Sequence, residues 1–106
     1  MPKYLLEASY TAEGIKGVVE KGGSAREAAA KAAIKSVGGK MEAFYFAFGD
    51  RDAIVIFDAP DNEAAAALGL TIGASGVVTA KTTVLLTSAE VDNATSKKVG
   101  YNPPGK

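Results

Sequence analysis

The chain has no cysteine and no histidine among its 106 residues, and no tryptophan. Without cysteine, neither a disulfide framework nor a thiolate metal site is possible. Without histidine, the commonest general base near neutral pH and the commonest transition-metal ligand are both missing. An excess of charge of one sign is also lacking, since 12 basic residues balance 12 acidic ones. No basic stripe with interleaved aromatics arises, which argues against nucleic acid as a partner. The pair Lys97-Lys98 reads as part of a solvated polar segment. No apolar run approaches the ~20 residues of a membrane helix. Residues 1–10 carry Lys3 and Glu7 within their apolar run and do not resemble a signal peptide. These absences point to a cytoplasmic protein without metal, cofactor, nucleic-acid or membrane partner.

What is present suits one folded domain: 47% of residues are hydrophobic and 23% charged, unlike a disordered chain. Residues 3–10 alternate, with Tyr4, Leu6, Ala8 and Tyr10 on one parity and Lys3, Leu5, Glu7 and Ser9 on the other. This is a strand with one apolar and one mixed face. Thr11 can cap a short helix carrying Ile15, Val18 and Val19, ended by Gly22-Gly23. Ser24 and Glu27 have the spacing of a capping box, and the Ala-rich stretch after them predicts a helix running to the stop at Gly38-Gly39.

Residues 40–48 predict a second strand, with Phe44, Phe46 and Phe48 on one parity and Met41, Ala43, Tyr45 and Ala47 on the other. A polar turn over 49–52 leads into a third strand over 53–59, together a hairpin. Asp61 or Asn62 can cap a helix through Leu68, Leu70 and Ile72, and residues 77–87 predict a fourth strand. Thr87 and Glu90 can cap one more short helix before a polar tail ending Gly100-Tyr101-Asn102-Pro103-Pro104-Gly105-Lys106. The expected division is a folded unit over 1–87 and a short helix with a polar tail over 88–106.

The order βαββαβ is that of the ferredoxin-like fold: an α+β domain with a four-stranded antiparallel sheet and helices on one face. A sheet wetted on its other face should alternate cleanly between apolar and polar residues, and residues 41–48 and 53–57 do not. An apolar face of that extent on a monomer is a liability, and pairing with the same face of a second copy removes it. The rival reading has the C-terminal segment folding back over the sheet.

Several stretches resemble the GYD family of small bacterial and archaeal proteins. They are Pro2-Lys3-Tyr4-Leu5, Gly38-Gly39-Lys40, Glu42 through Asp50, Lys81 through Thr87, and the tail Tyr101-Asn102-Pro103-Pro104-Gly105. The family's Gly-Tyr-Asp is represented by Gly49-Asp50-Arg51-Asp52, a glycine followed by an acidic turn without the tyrosine. The resemblance implies a dimeric α+β barrel, in which two ferredoxin-like sheets face each other. It implies no set activity, because that fold group spans cofactor-free oxygenases, isomerases, haem-handling enzymes and ligand binders. The lack of His and Trp argues against the haem-handling and quinone-forming versions.

The candidates for chemistry lie on the mixed parity. Glu7 and Lys81 belong to the first and fourth strands, neighbours in this order, and both point toward the inter-sheet space. A desolvated Glu7 can act as a base and Lys81 can hold a carboxylate or enolate, while the bland alternative is an ion pair that fixes strand register. Tyr45 offers a phenol on the parity opposite the three phenylalanines, and Thr83 a hydroxyl beside Lys81. Asp50 and Asp52 do not supply the ~6 oxygens of a hard-cation site and read as turn formers beside an exposed Arg51. The glycines at 14, 17, 22 and 23 do not form a dinucleotide fingerprint. The leading expectation is therefore a homodimer or higher homo-oligomer that holds a small molecule between sheets, with Glu7, Tyr45, Lys81 and Thr83 as pocket residues. The competing readings are a cofactor-independent isomerase or oxygenase, and a purely structural or interaction module.

Overall fold

A computed structural model describes residues 1–105, so Lys106 at the end of the expected tail lies outside the described residues. In chain order the elements are β1 (Lys3–Tyr10), α1 (Ala12–Lys21), α2 (Gly23–Ser36), β2 (Lys40–Phe46), β3 (Ala53–Asp58), α3 (Asn62–Ala74), β4 (Val78–Leu85) and α4 (Ser88–Thr95). The strands form one antiparallel sheet in the order β2-β3-β1-β4, which is the ferredoxin-like arrangement. The α+β expectation holds, and β1 has the bounds that its alternation predicts.

The apolar parity of β1 faces the helices. Tyr4, Leu6 and Ala8 join Ala53, Val55 and Phe57 of β3 and Val78 of β4 beneath Ile34 of α2 and Ala65 and Leu68 of α3. Tyr4 and Phe57 are opposite each other in register, and their rings stack with centroids 5.4 Å apart. The Tyr4 hydroxyl leaves the core at its edge and donates to Asn62 Oδ1 at 2.6 Å, as a buried phenol requires.

Local chemistry sets the helix ends. Thr11 Oγ1 accepts from the Gly14 amide, with Glu13 in the first turn of α1 and Lys21 in the last, complementing the helix dipole. Asp61 caps α3 by accepting from the Ala64 amide at 2.9 Å. Thr87 and Glu90 form the expected capping box on α4. The expected box of Ser24 and Glu27 does not form. Gly22, at φ +89°, ends α1 and is itself the N-cap of α2, so α2 starts at Gly23 and Ser24 already lies within the helix. Gly23 is pressed against the Phe46 ring, where an added Cβ would come within 2.9 Å of Cε2. Gly39 admits no side chain either, because its Cβ would lie 2.4 Å from the Asp58 carbonyl oxygen.

The β2–β3 register shifts between Met41 and Ala43, leaving Glu42 as the extra residue of a bulge. Met41 pairs with Phe57, and Phe44 and Phe46 pair with Val55 and Ala53, so all three share the helix-side face. This corrects the sequence reading that put Met41 on the side of Ala43 and Tyr45: one inserted residue reverses the alternation. β2 and β4 also end earlier than expected, at Phe46 and Leu85.

Residues 86–105 are all exposed. The Cα radius of gyration is 16.9 Å and the longest extent 58 Å, against a radius of about 13 Å for a compact chain of ~100 residues. The C-terminal segment therefore projects from the body and does not fold back over the sheet.

Candidate functional site

The sheet face away from the helices carries all four residues singled out above. Strand register sets them in rows across the sheet. One row runs Tyr45, Ile54, Glu7, Lys81, and the next runs Ala43, Ile56, Leu5, Thr83. With strands about 4.8 Å apart, Tyr45 and Lys81 stand roughly 14 Å from each other across the face. Glu7 is half-buried, while Tyr45, Lys81 and Thr83 are exposed, Tyr45 at 69%.

Glu7 and Lys81 are direct cross-strand partners, yet no ion pair joins them among the described residues, where both ion pairs belong to Lys3. The register-fixing pair considered from sequence is thus not made within one chain. Glu7 instead borders a hollow of about 290 Å³ with Ile54, Phe48, Asp50 and Arg51. Phe48, just past the end of β2, is fully exposed. Tyr45, Lys81 and Thr83 do not line that hollow. The four residues share a surface, and only Glu7 borders the hollow.

A third row holds the charge cluster that sequence reasoning missed. Lys3 lies between Asp58 and Leu85 in register, and its ammonium donates to Asp58 Oδ1 at 3.1 Å and to Glu42. The bulge places the Glu42 carboxylate within reach of Lys3 across the intervening strand. The hydrogen bond to Glu42, followed by that to Asp58, holds the Lys3 ammonium above the usual lysine range. An acidic residue closing the apolar run 53–57 was the available signal. The cluster closes one end of the face with satisfied charge and leaves Glu7 and Lys81 unpaired in the middle.

The acidic turn after Gly49 has a structural task. The Asp52 carboxylate accepts from the Tyr10 amide at 2.8 Å, and its own amide donates to the Ala8 carbonyl at 2.9 Å. The hairpin is thereby tied to the end of β1. Arg51, read from sequence as exposed, is half-buried beside the hollow. No group of three or more metal-ligating side chains gathers among the described residues. No helix among them is long and apolar enough to cross a membrane.

In comparison with known proteins, a family model described as GYD domain matches residues 4–95. No curated protein and no solved structure matches the chain.

Proposed function

The chain belongs to the GYD domain family, and we propose that it acts as a homodimer or higher homo-oligomer in which the open sheet faces of two copies meet and hold a small molecule between them. The observation that carries this reading is the composition of that face. Leu5, Ile54, Ile56 and Leu85 lie on it, and Tyr45 and Phe48 stand exposed beside them. No helix covers it, and the C-terminal segment is exposed throughout. Contiguous apolar surface of this kind marks an association site, and a two-fold contact covers it by using the same patch twice.

The unpaired charges define what the enclosed space would accept. Two facing copies would bring two Glu7 carboxylates and two Lys81 ammonium groups into a space of reduced dielectric, where charges left without a partner are costly. A ligand with a carboxylate or carbonyl would satisfy Lys81, and the Tyr45 and Thr83 hydroxyls would serve as further donors. The molecule that suits the rows is small, largely apolar and carries one such oxygen group. In this reading the protein binds its ligand without a cofactor.

The experiment is light scattering at micromolar concentration, followed by native mass spectrometry of the purified protein. A mass of two or more chains with a bound small molecule supports the reading. A single-chain mass overturns the association, and a solidly filled inter-sheet space in a crystal structure overturns the ligand.

A further inference from the structure

On the opposite side of the sheet, a cleft of about 400 Å³ opens between α1 and the end of α3. Its charged lining residues are Glu13, Lys21 and Arg26, and its apolar ones include Ile72 and Val78. Arg26 comes from α2 and is half-buried, and its Nε is buried without a hydrogen-bond partner among the described residues. Among the described residues neither ion pair involves it, since both belong to Lys3. A guanidinium is never neutral in a protein and presents its donors as a rigid fork that matches a carboxylate. An arginine held with a buried donor unmet, at a cleft of ligand size, is the arrangement expected of an anion-binding group.

We propose that this cleft binds a small monocarboxylate with a hydrocarbon body, its carboxylate on Arg26. The single charge follows from the lining, in which two cations and one carboxylate leave one positive charge to neutralise. The hydrocarbon follows from the walls. A narrower space of about 80 Å³ shares Tyr10, Arg26, Ile72 and Val78 with the cleft and is lined onward by Ala30 and Phe44. Gly17 lines the cleft from the α1 side, and a Cβ there would meet nothing within 4 Å, so a larger side chain has room at this wall. The site is separate from the sheet face and stands whether or not two copies pair.

The test is titration of isotope-labelled protein with hexanoate, followed by amide NMR. Controls are 1-hexanol, which keeps the hydrocarbon and loses the charge, and inorganic phosphate, which does the reverse. Hexanoate is expected to move the amides of Gly14, Gly17 and Ser75, with both controls weaker by about tenfold or more. Arg26→Gln should weaken hexanoate by a similar factor, and Gly17→Leu should remove the response by filling the cleft while helicity is kept. Absence of hexanoate shifts, an equal response to phosphate or hexanol, or undiminished binding in Arg26→Gln would overturn the assignment. Should Arg26→Gln not fold, Gly17→Leu decides: hexanoate shifts that persist there place the binding elsewhere.

Discussion

Glu7 and Lys81 face each other across the β1–β4 ladder and make no ion pair. Opposite charges at such a position usually contribute roughly 0.2–1 kcal/mol as a cross-strand pair. Replacing each with a neutral side chain, as Glu7→Gln and Lys81→Met, should therefore change the unfolding free energy of the isolated chain by no more than about 0.5 kcal/mol. Urea denaturation of the two single variants and the double variant measures this. A coupling energy above about 1 kcal/mol would show a pair that forms in solution.

Association is tested at exposed positions, where a substitution spares the fold. Tyr45→Arg and Phe48→Ser change side chains that are 69% and fully exposed in one copy. Each variant is expected to keep its far-ultraviolet circular dichroism and to shift the light-scattering mass toward a single chain. Unchanged association in the double variant would exclude this face as the contact.

Core truncation has a larger effect. Leu68, 5% exposed, packs from α3 onto the sheet, and Leu68→Ala removes buried methyl groups where the neighbours can only partly collapse. The expected loss is about 2–5 kcal/mol, read by denaturation. Tyr4→Phe keeps the ring against Phe57 and removes the hydrogen bond to Asn62, with an expected loss of about 0.5–1.5 kcal/mol.

Arg26 should behave in the opposite sense. Leaving a donor buried and unmet costs about 1–3 kcal/mol, so Arg26→Met should stabilise the ligand-free protein by about 1 kcal/mol. A clear destabilisation would mean that the guanidinium has a partner in solution. Stability sacrificed at one residue is a common mark of a binding group.

The pH response has two separate arms. Burial, then the nearby Asp61 charge, raises the Tyr4 phenol above its usual 10.0. The hydrogen bond to Glu42, then that to Asp58, raises the Lys3 ammonium above 10.5. A folded value above the unfolded one gives a contribution that is complete below the unfolded value and lost as pH rises through the folded one. Thermal unfolding should therefore shift downward above about pH 10, and Tyr4→Phe should remove the late phase of the tyrosinate absorbance titration.

Glu90 has the other sign. The Thr87 backbone amide, then its hydroxyl, holds the Glu90 carboxylate below its usual 4.5. Its contribution is present above that value and lost as pH falls through the folded one. Amide exchange in the first turn of α4 should accelerate in acid, and Thr87→Ala should bring the same acceleration at neutral pH.

Much of this architecture was legible in residue parity. The alternation of β1 separated Tyr4, Leu6 and Ala8 from Leu5 and Glu7, and the same period placed Glu7, Tyr45, Lys81 and Thr83 on one face. Parity failed where the chain departs from regular period. The bulge at Glu42 reversed Met41, and the left-handed Gly22 moved the start of α2 ahead of Ser24. The Lys3 cluster joins residues 39 and 55 positions apart, and the spacing of neither pair betrays the contact. Nothing in the sequence around Arg26 marks it out, because its surroundings are set by the gap between α1 and α3.

The extra residue at Glu42 adds a carboxylate to β2 without disturbing the side chains that face the helices. A variant lacking it would keep Met41 opposite Phe57 and Ala43 opposite Ile56 in an unbroken ladder, and would lose only the carboxylate that reaches Lys3. A relative with a β2 shorter by that residue can therefore keep its helix-side face unchanged and needs only another partner for its lysine.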